Sequence, residues 1–176
     1  EISDTDGCPP LSIRGGTLTG NSVKLDAGKS SQFLTSLLLI APLLRSGLTI
    51  EITGTLASEG YIELTKKVME DFGLHVVQES NKFIVQNSQY RSPDRYFIEG
   101  DWSAAGPWIA LNAVSGSRIT FANLQKDSSQ ADSAFPEIMR KLCRTEGDIT
   151  IDCREIPDQV MNLSIVAAHR EGKTKI

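Results

Sequence analysis

Starts of apolar helical runs recur near residues 30, 103 and 157, and this recurrence constrains the fold more than any other feature of the chain. Ahead of the first start, residues 8 to 26 read as two short strands. Pro9-Pro10 leads into Leu11-Ser12-Ile13-Arg14, Gly15-Gly16 turns, and Ser22-Val23-Lys24-Leu25-Asp26 alternates again. Behind Ser30-Ser31, the residues Phe33, Leu34, Leu37, Leu38 and Ala41 fall at helical spacing, and Pro42 with Gly47 marks the helix end. Leu48-Thr49-Ile50-Glu51-Ile52 alternates as a strand. The next helix is expected from Glu59 to Phe72, with Ser58 as N-cap, Gly73 just past its end, and Ile62, Thr65, Val68, Met69 and Phe72 facing inward. His75-Val76-Val77 and Lys82-Phe83-Ile84-Val85 form a hairpin around Glu79-Ser80-Asn81. One supersecondary unit therefore runs strand, helix, strand, helix, strand, strand.

The order then begins again. Tyr96-Phe97-Ile98-Glu99-Gly100 leads into Ser103-Ala104-Ala105 and an apolar helix from about Trp108 to Val114, which Gly116 ends. Gly100-Asp101-Trp102-Ser103 lies over Gly28-Lys29-Ser30-Ser31 of the first copy. Arg118-Ile119-Thr120-Phe121 is expected as the next strand, Phe135 to Met139 as the start of a helix, and Ile149-Thr150-Ile151 as another strand. Pro157-Asp158-Gln159-Val160 opens a further apolar helix through Ala168, so this second copy lacks most of the closing hairpin.

Composition removes several classes. With 40% hydrophobic and 23% charged residues, the 176-residue chain is neither disordered nor a coiled coil. A net charge of −4 and no basic stripe exclude nucleic-acid binding through a general positive field. The longest apolar run, Leu37 to Leu44, is interrupted by Pro42 and falls short of the roughly 18 residues of a membrane span. Cys8, Cys143 and Cys153 share no metal or disulfide spacing and read as free thiols in a reducing cytosol. His75 and His169 have no carboxylate or cysteine at ligand spacing, so no metal is expected. Neither a nucleophile elbow nor a dinucleotide or phosphate-loop glycine pattern occurs. Asn162-Leu163-Ser164 is discounted as a glycosylation site because it lies in an apolar-periodic segment. The chain starts at Glu1 rather than Met and stops soon after an apolar helical run, which raises the expectation of a mid-section of something longer.

Several strings, in order, resemble one family. They are Asp6-Gly7, Pro9-Pro10-Leu11 with Gly15-Gly16, Ser30-Ser31-Gln32-Phe33-Leu34, Ser58 with Tyr61-Ile62, Met69-Glu70-Asp71-Phe72-Gly73, Glu99-Gly100-Asp101-Trp102-Ser103-Ala104-Ala105 and Ile156-Pro157-Asp158. Together they resemble the middle of the 3-phosphoshikimate 1-carboxyvinyltransferase family, from about Asp6 to Gly172. The resemblance implies an α+β fold of repeated βαβαββ units in two lobes, with helices inside and mixed sheets outside. Residues 1–99 would end the first lobe, and residues 100–176 would begin the second.

The resemblance also implies a reaction. The family moves the enolpyruvyl group of phosphoenolpyruvate to the 5-hydroxyl of shikimate 3-phosphate, by addition and elimination, and releases phosphate. No metal or organic cofactor is implied, the whole enzyme is expected to be a cytoplasmic monomer, and no nucleic-acid or membrane partner is expected. Ser30, Ser31 and Ser58 resemble the phosphate cradle, and helix N-termini favour anions through free N–H groups and the dipole. The same serines could be plain N-caps, each worth about 1 kcal/mol. Gln32 resembles the glutamine between the two substrates, and Tyr61 the tyrosine near the shikimate ring. Asp158 resembles the carboxylate that binds the shikimate hydroxyls and accepts a proton.

Three departures bear on this reading. Glu59-Gly60 follows Ser58 where the family often has Lys-Pro, Ala131 stands in the Gln-Gly-Asp string between Gln130 and Asp132, and the second hairpin is missing. The family's other cationic substrate ligands fall outside residues 1–176, so the chain alone is expected to show no carboxyvinyl transfer. Two alternatives stay open: transfer to UDP-N-acetylglucosamine, and a non-catalytic phosphometabolite-binding module on the same fold. The Ser30-Ser31-Gln32 run with the later Ser58 favours the shikimate reaction over the first, because a small sugar phosphate needs such a cluster of hydroxyls. An RNA 3′-phosphate cyclase on a related fold is disfavoured by the acidic balance.

Overall fold

A computed structural model describes residues 2–5, 8–28, 30–56 and 58–176. Asp6, Gly7 and Lys29 of the strings above lie outside the described residues. Strands β1 (Ile2–Thr5) and β2 (Cys8–Ile13) pair antiparallel. The first expected unit then follows whole: β3 (Ser22–Asp26), α1 (Gln32–Ile40), β4 (Leu48–Thr53), α2 (Glu59–Asp71), β5 (Val76–Glu79) and β6 (Lys82–Val85). Its strands form one mixed sheet in the order β3-β4-β6-β5, with β3 and β4 parallel and the other neighbours antiparallel.

Alternation decides which face is covered. Leu48, Ile50 and Ile52 of β4 point into the core with Phe83 and Val85 of β6, against Leu34 and Leu38 of α1 and Ile62 and Met69 of α2. Each such fully buried side chain contributes about 1.5–3 kcal/mol. On the other face, Lys24 and Glu51 sit opposite each other in register and approach to 3.5 Å. Helix α1 gives way at a 3-10 turn (Ala41–Leu43) that contains Pro42, whose ring and missing N–H stop a helix. Gly47 then turns the chain at φ 65° into β4; a Cβ there would strike the Val85 carbonyl.

The second half contains α3 (Trp102–Ser115), α4 (Phe135–Arg144), β7 (Ile149–Thr150), α5 (Val160–Ala167) and β8 (Thr174–Lys175). Its own core joins Ala110, Phe135, Met139, Leu142, Ile151, Ile156, Leu163 and Val166. Helix α3 begins at Trp102, well before the apolar run at Trp108, because Asp101 caps it by accepting from Ser103 N at 2.8 Å and Ala104 N at 3.2 Å. Gly116 ends it at φ 68°, as expected.

Two expected strand positions are not strands: residues 96–100, which lead into α3, and residues 118–121. Arg118–Phe121 pairs with no strand; instead the side-chain amide of Asn112 takes both backbone groups of Ile119, donating to its carbonyl and accepting from its N–H, each at 2.9 Å. A single amide thus satisfies both backbone groups of Ile119, which a ladder would otherwise have used. No helix among the described residues is long and apolar enough to cross a membrane.

Candidate functional site

Parallel pairing gathers the serines. Asp26 and Thr53 end β3 and β4 in register, so both strands release the chain at the same end of the sheet into α1 and α2. Two helix N-termini therefore open toward one place, the arrangement that favours anions at the carboxyl ends of parallel strands. The connecting loops lie side by side: a Cβ at Gly28 would sit 3.4 Å from the Thr55 carbonyl. Thr35 and Thr65 bridge the two helices through their hydroxyls at 3.2 Å.

The serines do not cap as expected. Ser58 occupies the N-cap position of α2 in left-handed backbone, φ 52° and ψ 57°, and makes no capping bond. An N-cap needs extended backbone to swing its oxygen over the first turn, and the left-handed turn prevents that. Ser31 is already helical and makes no capping bond either; it is buried, while Ser30 and Ser58 are half-buried. Ser30 supplies the cap instead, its Oγ accepting from Gln32 N at 3.2 Å. Gln32 opens α1 with its side chain exposed.

Tyr61 carries the site across to the second half of the chain. Its hydroxyl donates to Asp132 Oδ2 at 2.9 Å and lies 3.4 Å from Asp158 Oδ2. Asp158 is exposed, in a 3-10 turn (Pro157–Gln159) that leads into α5. Asp132 is only 2% exposed. Burial, then the hydrogen bond and charge of Asp132, then Asp158 push the Tyr61 pKa up, because a phenolate there would face two carboxylates. Tyr61 is therefore a proton donor throughout the physiological range.

Of the six residues expected at the site, Tyr61 and Asp158 meet directly. Among the described residues, no hydrogen bond joins Ser30, Ser31 or Gln32 to Ser58, Tyr61 or Asp158. A separate groove of about 600 Å³, between α2, residues 93–99 and residues 125–130, is lined by none of the six. Asp132, Gln159 and Asn162 also take part, and no sequence pattern marks Gln159 or Asn162, whereas Asp132 stands beside the Ala131 departure. The sequence signal was only an acidic residue beside a break in a motif; its burial is visible in the structure alone.

Two of the departures touch each other. A Cβ at Gly60 would lie 2.8 Å from Ala131 Cβ. The extra methyl of Ala131 thus occupies space that the missing side chain of Gly60 leaves open. Lys67 of α2 adds a second bridge, donating to Ser129 Oγ at 2.9 Å.

The family model for EPSP synthase (3-phosphoshikimate 1-carboxyvinyltransferase) matches residues 1–176. A 3-phosphoshikimate 1-carboxyvinyltransferase of Colwellia psychrerythraea is 38% identical over 192 residues, covering 100% of this chain and 45% of its own length. A namesake from Haemophilus ducreyi is 37% identical, covering 100% of this chain and 44% of its own length. Another from Pasteurella multocida is 35% identical over 98% of this chain and 43% of its own length. The chain thus spans less than half the length of these curated relatives. None of the three is named for transfer to UDP-N-acetylglucosamine.

Proposed function

This chain belongs to the EPSP synthase family, and from that membership we propose that the protein carrying it joins the enolpyruvyl group of phosphoenolpyruvate to the 5-hydroxyl of shikimate 3-phosphate. Phosphate is the second product. On this reading residues 1–99 close one lobe and residues 100–176 open the other, and the chain supplies part of the shikimate 3-phosphate site. The protein works as a cytoplasmic monomer, which suits the free thiols of Cys143 and Cys153.

The observation that carries the reading is the parallel β3–β4 pair, which delivers two serine-led helix starts to one end of the sheet, one turn from Tyr61. The hydroxyls of Ser30, Ser31 and Ser58 and the free N–H groups of α1 and α2 hold the substrate phosphate. Gln32 reaches between the two substrates, and Tyr61 packs by the ring. Asp158 accepts the proton of the attacking hydroxyl as its oxygen bonds to the enol carbon, while an acid outside this chain protonates the methylene carbon. Loss of a methyl proton and of phosphate then restores the double bond. An ionised carboxylate is a weak base in water, so the substrate-filled site must raise the basicity of Asp158.

Calorimetric titration of the chain with shikimate 3-phosphate tests the cradle. Binding is expected, and the double variant Ser30→Ala with Ser31→Ala should weaken it. Equal binding by that variant would sink the reading. The purified 176-residue chain should turn over no substrate; measurable transfer would show that it holds the whole phosphoenolpyruvate site.

A further inference from the structure

We propose that Gln159 is a positioning residue, whose buried amide ties Asp132 and α3 together and so holds the neighbouring Asp158 beside Tyr61. The inference rests on the role given to Asp158 above. Gln159 is fully buried, at 0% exposure, yet its polar atoms are engaged. Nε2 donates to Asp132 Oδ1 at 3.0 Å and approaches the Ser103 carbonyl at 3.5 Å, and Oε1 accepts from Asn162 Nδ2 at 2.9 Å. A buried glutamine offers one acceptor and two donors, so this amide has little freedom left.

Helix α3 is shaped to receive it. Pro107 has no N–H for the Ser103 carbonyl one turn before it, which leaves that carbonyl open to Gln159. Gly106 supplies the room: a Cβ there would collide with Gln159 Oε1 and crowd Asn162 Nδ2. Two helix-weakening residues thus stand together where the amide docks.

The consequence falls on the carboxylates. Asp132 is held by neutral donors on both oxygens, Gln159 on Oδ1 and Tyr61 on Oδ2, and among the described residues no ion pair engages it. The single phenol proton of Tyr61 is committed to Asp132 by the shorter bond. Asp158, 3.4 Å from the same hydroxyl and exposed, keeps its acceptor capacity for a substrate hydroxyl. Because Gln159 is the next residue in the turn, fixing its side chain fixes the backbone that aims Asp158.

The test uses the full chain with Gln159→Met, which keeps the volume beside Gly106 but removes the hydrogen bonds, and a second variant, Gln159→Ala with Gly106→Ala, which refills the space from the helix side. The ring resonance of Tyr61, assigned through Tyr61→Phe, is expected to move in the same direction as it does in Asp132→Asn. Affinity for shikimate 3-phosphate should fall about tenfold, the scale of one polar contact to a charged group, with no further loss when Gln159→Met is added to Asp158→Ala. An unmoved Tyr61 resonance, or losses from Gln159→Met and Asp158→Ala that simply add, would overturn the proposal. Unfolding of both variants would overturn it too, since Gln159 would then serve the core alone. If the unaltered chain fails to bind shikimate 3-phosphate, the proposed function falls, and the Tyr61 resonance still decides the role of Gln159.

Discussion

The Tyr61 hydroxyl donates to Asp132 Oδ2 at 2.9 Å and so links α2, part of one hydrophobic core, to the turn that precedes α4 in the other. Removing that hydroxyl leaves a buried carboxylate oxygen without its donor. Tyr61→Phe is expected to lower the unfolding free energy by about 1–3 kcal/mol, the cost of an unsatisfied buried acceptor. Urea denaturation measures it, and an unchanged midpoint would show that water replaces the phenol at no cost.

The same bond makes stability depend on alkaline pH. The folded chain holds the Tyr61 proton above the ordinary tyrosine value, chiefly through burial and then through Asp132. Unfolded tyrosine ionises near pH ~10, so the unfolded chain loses this proton first as pH rises. The stability contributed by Tyr61 is whole below pH ~10 and drains away above it, toward the folded value. Tyr90 and Tyr96 are raised as well, so the comparison with Tyr61→Phe isolates the share of Tyr61. The gap in Tm between the two proteins should hold up to about pH 10 and narrow above it; a gap that stays constant through about pH 12 would contradict this.

Gly60 and Ala131 should behave as a coupled pair. Gly60→Ala forces two methyl carbons together and is expected to cost about 1–3 kcal/mol by overpacking. Adding Ala131→Gly removes the clash and should recover most of that loss. Thermal unfolding of the two single variants and the double variant gives the coupling directly, and additive effects would mean the loops part freely.

Ser58 combines strain with a hydroxyl that makes no capping bond. Left-handed backbone costs a non-glycine residue about 1–2 kcal/mol, partly offset in glycine by the entropy of its unfolded state. Ser58→Gly should therefore raise stability by a few tenths to about 1 kcal/mol while weakening the binding of shikimate 3-phosphate. Opposite signs in melting temperature and affinity are the expected signature. A variant that gains both would place the hydroxyl outside the cradle.

Asp152 should titrate low. The guanidinium of Arg154 reaches both of its oxygens, with Nε at 3.0 Å from Oδ1 and 2.9 Å from Oδ2. Arg154, through side-chain and then backbone hydrogen bonds, holds the Asp152 carboxyl down at about 2. A depressed carboxyl favours the folded state above the ordinary aspartate value and loses that preference as pH falls through about 2. Carboxyl NMR titration at low salt should give the low midpoint, and Arg154→Ala or high salt should return it toward ~3.9, because the pair is exposed.

Local periodicity was enough for much of the first unit. The alternation of Leu48, Ile50 and Ile52, the helical spacing through Met69, and the stops at Pro42, Gly47 and Gly73 all depend on neighbours within a turn or two. Arg118–Phe121 has the same alternation and is not a strand, because a strand also needs a partner and Asn112 had already taken Ile119. Ser58 has the residue type of an N-cap, yet its backbone is left-handed and its side chain makes no capping bond.

By itself the sequence determined the order of the elements in the first unit, the resemblance of its serine, tyrosine and aspartate strings to one family, and the sign of the charge. Only the tertiary structure decided that Tyr61 would share its proton with Asp132, 71 residues away, rather than with Asp158, and that Gln159 would lie buried between Asp132 and Gly106. The reason is physical. Helix and strand preferences are set by contacts a few residues apart, whereas a buried polar group takes whichever partner the packing brings within 3 Å or so, and no local pattern records that choice.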